Sequence, residues 1–145
     1  MANKLGVAAW ALMICVSASY AYARDTISDQ PVQAAVDAGK GKLLDVPFFM
    51  AGAEHGKVVD DLGVFTSNRS TNAFNKSEAD ACAIAFQSAI IALQGRATQL
   101  GGNAVIDIKS ITKGQNLESA TQFRCDDGTF AAKVTLSGRA VKLAK

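Results

Sequence analysis

The chain has 145 residues, 15 basic against 13 acidic side chains, one histidine, three cysteines and 49% hydrophobic residues. That length holds one domain with a single core. The near-neutral charge is spread along the chain (Arg24, Lys57, Arg69, Arg96, Lys113, Arg139) and aromatics are few, which excludes a basic footprint for nucleic acid or a polybasic membrane patch.

The first residues read as a leader. Lys4 opens it, an apolar run extends from Leu5 to Ser19, and Ala21-Tyr22-Ala23 forms an A-x-A cleavage site. Cleavage before Arg24 is expected, so residues 1–23 are assigned to a signal peptide and residues 24–145 to one domain. The apolar run is shorter than the roughly 20 residues that span a bilayer, which argues against a retained membrane anchor. Cys15 follows Ile14, where a lipobox needs Gly or Ala, so lipidation is not expected. The destination is therefore the periplasm or the exterior.

After a polar start, Pro31 opens a short helix with Val32, Ala35 and Val36 on one face, ended by Gly39. Residues 42–50 (KLLDVPFFM) are apolar, but Pro47 restricts them to an edge or irregular strand. A turn leads to a second strand over residues 58–66, with Gly63 as a bulge, and hairpin pairing of these two strands is expected. Residues 67–76 (SNRSTNAFNK) read as a polar loop with Ala73 and Phe74 tucked inward. Such loops often carry binding functions, so Asn68, Asn72, Phe74 and Asn75 are candidate binding residues, set against ordinary asparagine turn chemistry.

The most informative stretch is residues 77–110. Ser77 and Asp80 match a capping box, with Glu78 and Asp80 favourably placed on the helix dipole. Cys82, Phe86, Ile90, Leu93, Ala97 and Leu100 form one stripe at spacings of three and four, while Gln87, Gln94 and Arg96 fall largely elsewhere. Gly95 and the alanines allow close approach to a sheet, and Gly101-Gly102 supplies the stop. A strand follows in which Ala104, Ile106 and Ile108 alternate with Val105, Asp107 and Lys109. Gly114 to Asn116 is a turn, residues 119–125 a strand, and Asp126-Asp127-Gly128 a second turn. In the last strand Val134 and Leu136 have one parity and Val141 and Leu143 the other, which places a bulge or bend near Gly138. The fold class is α+β: a mostly antiparallel sheet of about five strands packed by one long helix.

With the leader removed, Cys82 and Cys125 are an even pair in an exported chain, both on faces assigned to the helix–sheet interface. A disulfide between them is expected, against the alternative of two separately buried thiols. His55 is the lone histidine; with Glu54, Asp60 and Asp61 it is a candidate weak zinc or copper site, although the spacing is not diagnostic. A surface histidine without a role is the competing reading. No cofactor is expected and no catalytic set is evident, so the chain reads as a non-enzyme.

Several segments together carry a resemblance. Thr71-Asn72-Ala73-Phe74 before Ser77 and Cys82, Ala92-Leu93-Gln94, Gly102-Asn103-Ala104-Val105, Phe123 with Cys125, and Val134-x-Leu136-x-Gly138 resemble a group of small exported bacterial proteins often labelled excinuclease ATPase subunits. That label implies a nucleotide, yet no G-x-x-x-x-G-K-[ST] loop occurs, so nucleotide binding is not expected. The second half is more distantly similar to the RcsF stress-sensor and YbjQ-type proteins. This similarity implies an RcsF/YbjQ-like α+β fold, a disulfide from the helix region to a later strand, and an envelope protein as partner. The chain departs from RcsF in lacking a lipobox and a Pro-rich tether and in having only two mature cysteines. The alternative function is a periplasmic small-ligand or metal-binding protein centred on His55; the sequence leaves homo-oligomerisation open.

Overall fold

A computed structural model describes residues 25–145. The expected leader and cleavage site lie outside the described residues. The elements in chain order are β1 (Asp25–Pro31), α1 (Val32–Ala38), β2 (Phe48–Met50), β3 (Val58–Asn72), α2 (Glu78–Gln99), β4 (Ala104–Thr112), β5 (Gln115–Leu117), β6 (Gln122–Gly128) and β7 (Ala131–Leu143). The class is α+β, but the sheet has seven strands among the described residues and is mixed, because β2 runs parallel to β4. Two helices pack on it rather than one. Among the described residues no helix is long and apolar enough to cross a membrane.

α2 forms as its sequence dictates. Ser77 Oγ accepts the Asp80 N–H at 3.1 Å. At the other end Gly102 N–H reaches Ala97 O and Gly101 N–H reaches Thr98 O, with Gly101 at φ +79°, the paired bonds of a Schellman cap. Cys82, Phe86, Ile90, Leu93 and Ala97 are buried. Gln87 and Gln94 depart from expectation: both are buried, and each spends its amide on backbone. Gln87 Nε2 donates to Ala35 O at 2.9 Å, which ties α1 to α2. Gln94 accepts from Leu44 N–H and donates to Leu44 O and Val46 O.

That amide explains why residues 42–47 form no strand. Leu44 N–H, Leu44 O and Val46 O are taken by a helix side chain, and Pro47 cannot join a ladder as donor. The expected hairpin is absent. β2 pairs with β4 (Phe48↔Val105), whereas β3 runs antiparallel to β7 along its full length. β3 also absorbs most of the expected loop, continuing to Asn72, because Ser67 to Asn72 pair one for one with Leu136 to Ala131. Its polarity reflects an edge strand with a solvated face. At the start of the described residues, polar β1 pairs antiparallel with β6, an element that no hydrophobic alternation announces.

β7 is the middle of the sheet. β3 lies along one side, while β6 and then β4 occupy the other. The expected bend at Gly138 is not there: Phe65↔Gly138 sits in an unbroken register. Ala132, Val134, Leu136 and Ala140 face the main core, and Val141 belongs to a second cluster with Ala104 and Ile106, against which Leu143, Phe49 and Val58 pack. The parity change therefore records two buried patches on opposite faces. The irregularities lie in the neighbours, in β3 between Val58 and Asp60 and between Asp61 and Gly63, and in β4 between Ile106 and Lys109. The latter places Asp107 at φ +51° and moves Ile108 to the helix side, away from the face of Ala104 and Ile106. The β4–β5 hairpin turns at Lys113-Gly114, both at positive φ, and the β6–β7 turn falls at Thr129-Phe130, two residues beyond the expected position.

Cys82 and Cys125 form the disulfide that joins α2 to β6, with both residues fully buried. Beside it Phe86 stacks on Phe123 with ring centroids 4.2 Å apart. The bridge closes a separation of 43 residues, for which chain entropy alone gives on the order of 4 kcal/mol. The joint Cys82→Ala and Cys125→Ala substitution is expected to lower unfolding free energy by about 2–5 kcal/mol, read from urea denaturation.

The two glycines under and along α2 have opposite roles. A Cβ on Gly138 would stand 2.9 Å from Val105 Cγ1 and 3.2 Å from Leu93 Cδ1, so this glycine lets helix and sheet meet. A Cβ on Gly95 would meet nothing within 4 Å, so Gly95 is not a close-approach position. Gly95→Ala is expected to stabilise by about 0.5–1 kcal/mol through helix propensity, and Gly138→Ala to destabilise by about 1–3 kcal/mol through overpacking. Thermal melts of the two variants check the opposite signs.

Candidate functional site

Beyond the apolar patch of Ala104, Ile106 and Val141, the sheet face opposite α2 is polar and charged. The bulge in β4 turns Asp107 outward, next to Arg139 of β7, with Lys109 farther along β4 and Glu118 just past β5. Together with Val64 and Ser137 these side chains line an open basin of about 320 Å³. Its charges are organised in pairs. Arg139 Nη1 donates to Asp61 Oδ2 at 2.6 Å, its Nε lies 4.0 Å from Asp107 Oδ2, and Lys109 Nζ donates to Glu118 Oε1 at 3.0 Å. Val64 contributes an exposed apolar patch, 53% accessible. Fixed charges of both signs around an apolar spot suit recognition of a polar chain segment by complementary hydrogen bonds and charge.

A second polar cluster holds β1 in place. Arg124 makes a bidentate pair with Asp29, Nε to Oδ1 at 2.7 Å and Nη2 to Oδ2 at 3.0 Å. The guanidinium, chiefly through its hydrogen bonds and opposed by partial burial, holds the Asp29 carboxyl below its ordinary value of 3.8.

The asparagines expected to bind do not converge. Asn68 projects from the solvated face of β3. Asn72 Oδ1 accepts the Phe74 N–H at 2.8 Å, Asn72 O accepts from Lys76 Nζ, and Asn75 takes φ +58°. These are turn and helix-entry interactions. Ala73 is buried as expected, but Phe74 is 59% exposed instead of tucked in. Nor is a metal cluster assembled: among the described residues no three His, Cys, Asp or Glu side chains are gathered to hold an ion. His55 Nδ1 pairs with Gly56 O and its ring meets Phe49 edge-on, while Asp61 is taken by Arg139 and by Gly63 N–H. No local sequence signal marks the basin residues Asp107, Lys109, Ser137 and Arg139 beyond their being polar positions within strands. No protein-family model matches the chain, and no curated protein or solved structure matches it either.

Because the Asp29 pKa is lowered in the folded state, this carboxylate contributes stability that is fully present above its unfolded value and is lost as pH falls through the folded one. The stability gap between the native chain and Arg124→Gln is therefore expected to be widest above about pH 4 and to close below it. Denaturation at a series of pH values checks this, alongside an NMR titration in which the Asp29 midpoint rises in the variant.

Proposed function

We propose that the protein is an exported, non-enzymatic binding module of the cell envelope, of RcsF/YbjQ-like fold, that recognises a protein partner through the sheet face opposite α2. The observation that carries this reading is the pairing of a core disulfide with a mixed-charge basin. Cys82–Cys125 suits an oxidising compartment, and the basin's cations and carboxylates are tied to one another in a pattern suited to holding shape. Such an arrangement gives specificity by charge register, since a partner with mismatched signs would bury like charges against it. The A-x-A site at Ala21-Tyr22-Ala23 supports export.

The purified exported protein is expected to begin at Arg24 and to carry no alkylatable thiol before reduction, as read by intact mass. Immobilised in oxidised form, it is expected to capture an envelope protein that the Lys109→Glu, Glu118→Lys double swap recovers at about one tenth the level or less. The swap keeps the ion pair but inverts its pattern. Capture at background, or equal capture by both forms, overturns the reading.

A further inference from the structure

We propose that the protein forms a two-fold dimer by antiparallel pairing of β3 with β3 of a second copy, about an axis at Asn68. β3 pairs only with β7, so its other edge is open. The two register shifts that would discourage edge pairing lie at Val58/Asp60 and Asp61/Gly63, near one end. From Val64↔Arg139 to Asn72↔Ala131 the register is unbroken, and these nine residues include no proline and one charge, Arg69. Among the described residues, the only hydrogen bond that this stretch's backbone makes to anything but β7 or the turn that follows it is Lys76 Nζ to Asn72 O. The outward N–H and C=O groups thus stand as a template for a further strand.

Two side chains on the helix side of β3 select the occupant and the register. Ser67 is 6% exposed, and its Oγ has no hydrogen-bond partner among the described residues. It lines a groove of about 390 Å³ between β3 and α2, together with Arg69, Arg96 and Phe65. Arg96 is seated over the Phe65 ring at 4.7 Å, whereas exposed Arg69 has no ion pair or hydrogen bond among the described residues. Buried hydroxyls in folded proteins are nearly always satisfied, and a guanidinium supplies strong charge-assisted donors. Antiparallel pairing about Asn68 sets Ser67 of each copy opposite Arg69 of the other, twice by symmetry. It also sets Thr66 opposite Ser70 and Val64 opposite Asn72, so no like charges face each other. An axis one residue further on would oppose Arg69 to its own copy, which disfavours that register. The chain is thus complementary to itself along this edge, the property an isologous contact requires.

Sedimentation equilibrium of the oxidised protein is expected to show a dimer. Asn68→Lys places two ammonium groups across the axis and is expected to raise the dissociation constant about tenfold or more. Arg69→Ala is expected to raise it too. Both substitutions change exposed side chains, so circular dichroism should remain that of the native fold. Asn68→Cys is expected to give an intermolecular disulfide on oxidation, mapped by peptide mass, whereas Thr66→Cys, displaced from the axis, gives none. A monomer at about 100 μM overturns the proposal, as does a dimer whose dissociation constant neither substitution moves. Failure of Asn68→Cys to cross-link, or cross-linking by Thr66→Cys instead, overturns the register.

Discussion

The structure depends on how closely α2 can lie on β7. The buried side of the helix carries Ala81, Ala85, Ala89 and Ala97 between its larger residues, and β7 offers Gly138 at the point where Leu93, Val105 and Ile108 converge. Small side chains on one surface and a bare backbone on the other let the two elements interlock at the density of a protein interior. The disulfide from Cys82 to Cys125 and the Phe86–Phe123 stack fasten the N-terminal half of the same helix to β6, so the helix is held at both ends of its contact.

With β7 placed under the helix, its neighbours must adapt. β3 gains two extra residues and β4 one beside it, and the sheet acquires a second buried patch on its far side around Val141, Ala104 and Ile106. The β4 bulge is what turns Asp107 toward Arg139 and opens the charged basin, so a packing adjustment on one face places paired charges on the other. Buried glutamines serve a related purpose. Gln94 and Gln87 act as substitutes for backbone partners, holding residues 44–46 and α1 where no ladder reaches them.

Much of this was legible from local pattern. The limits of α2, its serine cap and glycine stop, the short helix after Pro31, the irregularity at Gly63 and the pairing of Cys82 with Cys125 all follow from spacings within a few residues, or from the count of thiols beyond the expected leader. What misled was polarity. β1 and the second half of β3 carry few apolar residues, so they resembled loops, and the glutamines of α2 resembled a solvated face. Both errors have one source: a side chain's polarity reports what it needs as partner, and an edge backbone or a buried carbonyl satisfies that need as well as water does.

The sequence by itself determined the α+β class, the long helix and its caps, and the cysteine pair, because helical periodicity, capping and thiol number are properties of neighbouring residues or of composition. Tertiary structure alone decided that β2 joins β4 in parallel, that β3 runs the length of β7, and that Asp107, Lys109, Glu118 and Arg139 share a basin. Strand partners are chosen by which buried faces fit beneath one helix, and that choice compares residues tens of positions apart, where no local pattern carries the information.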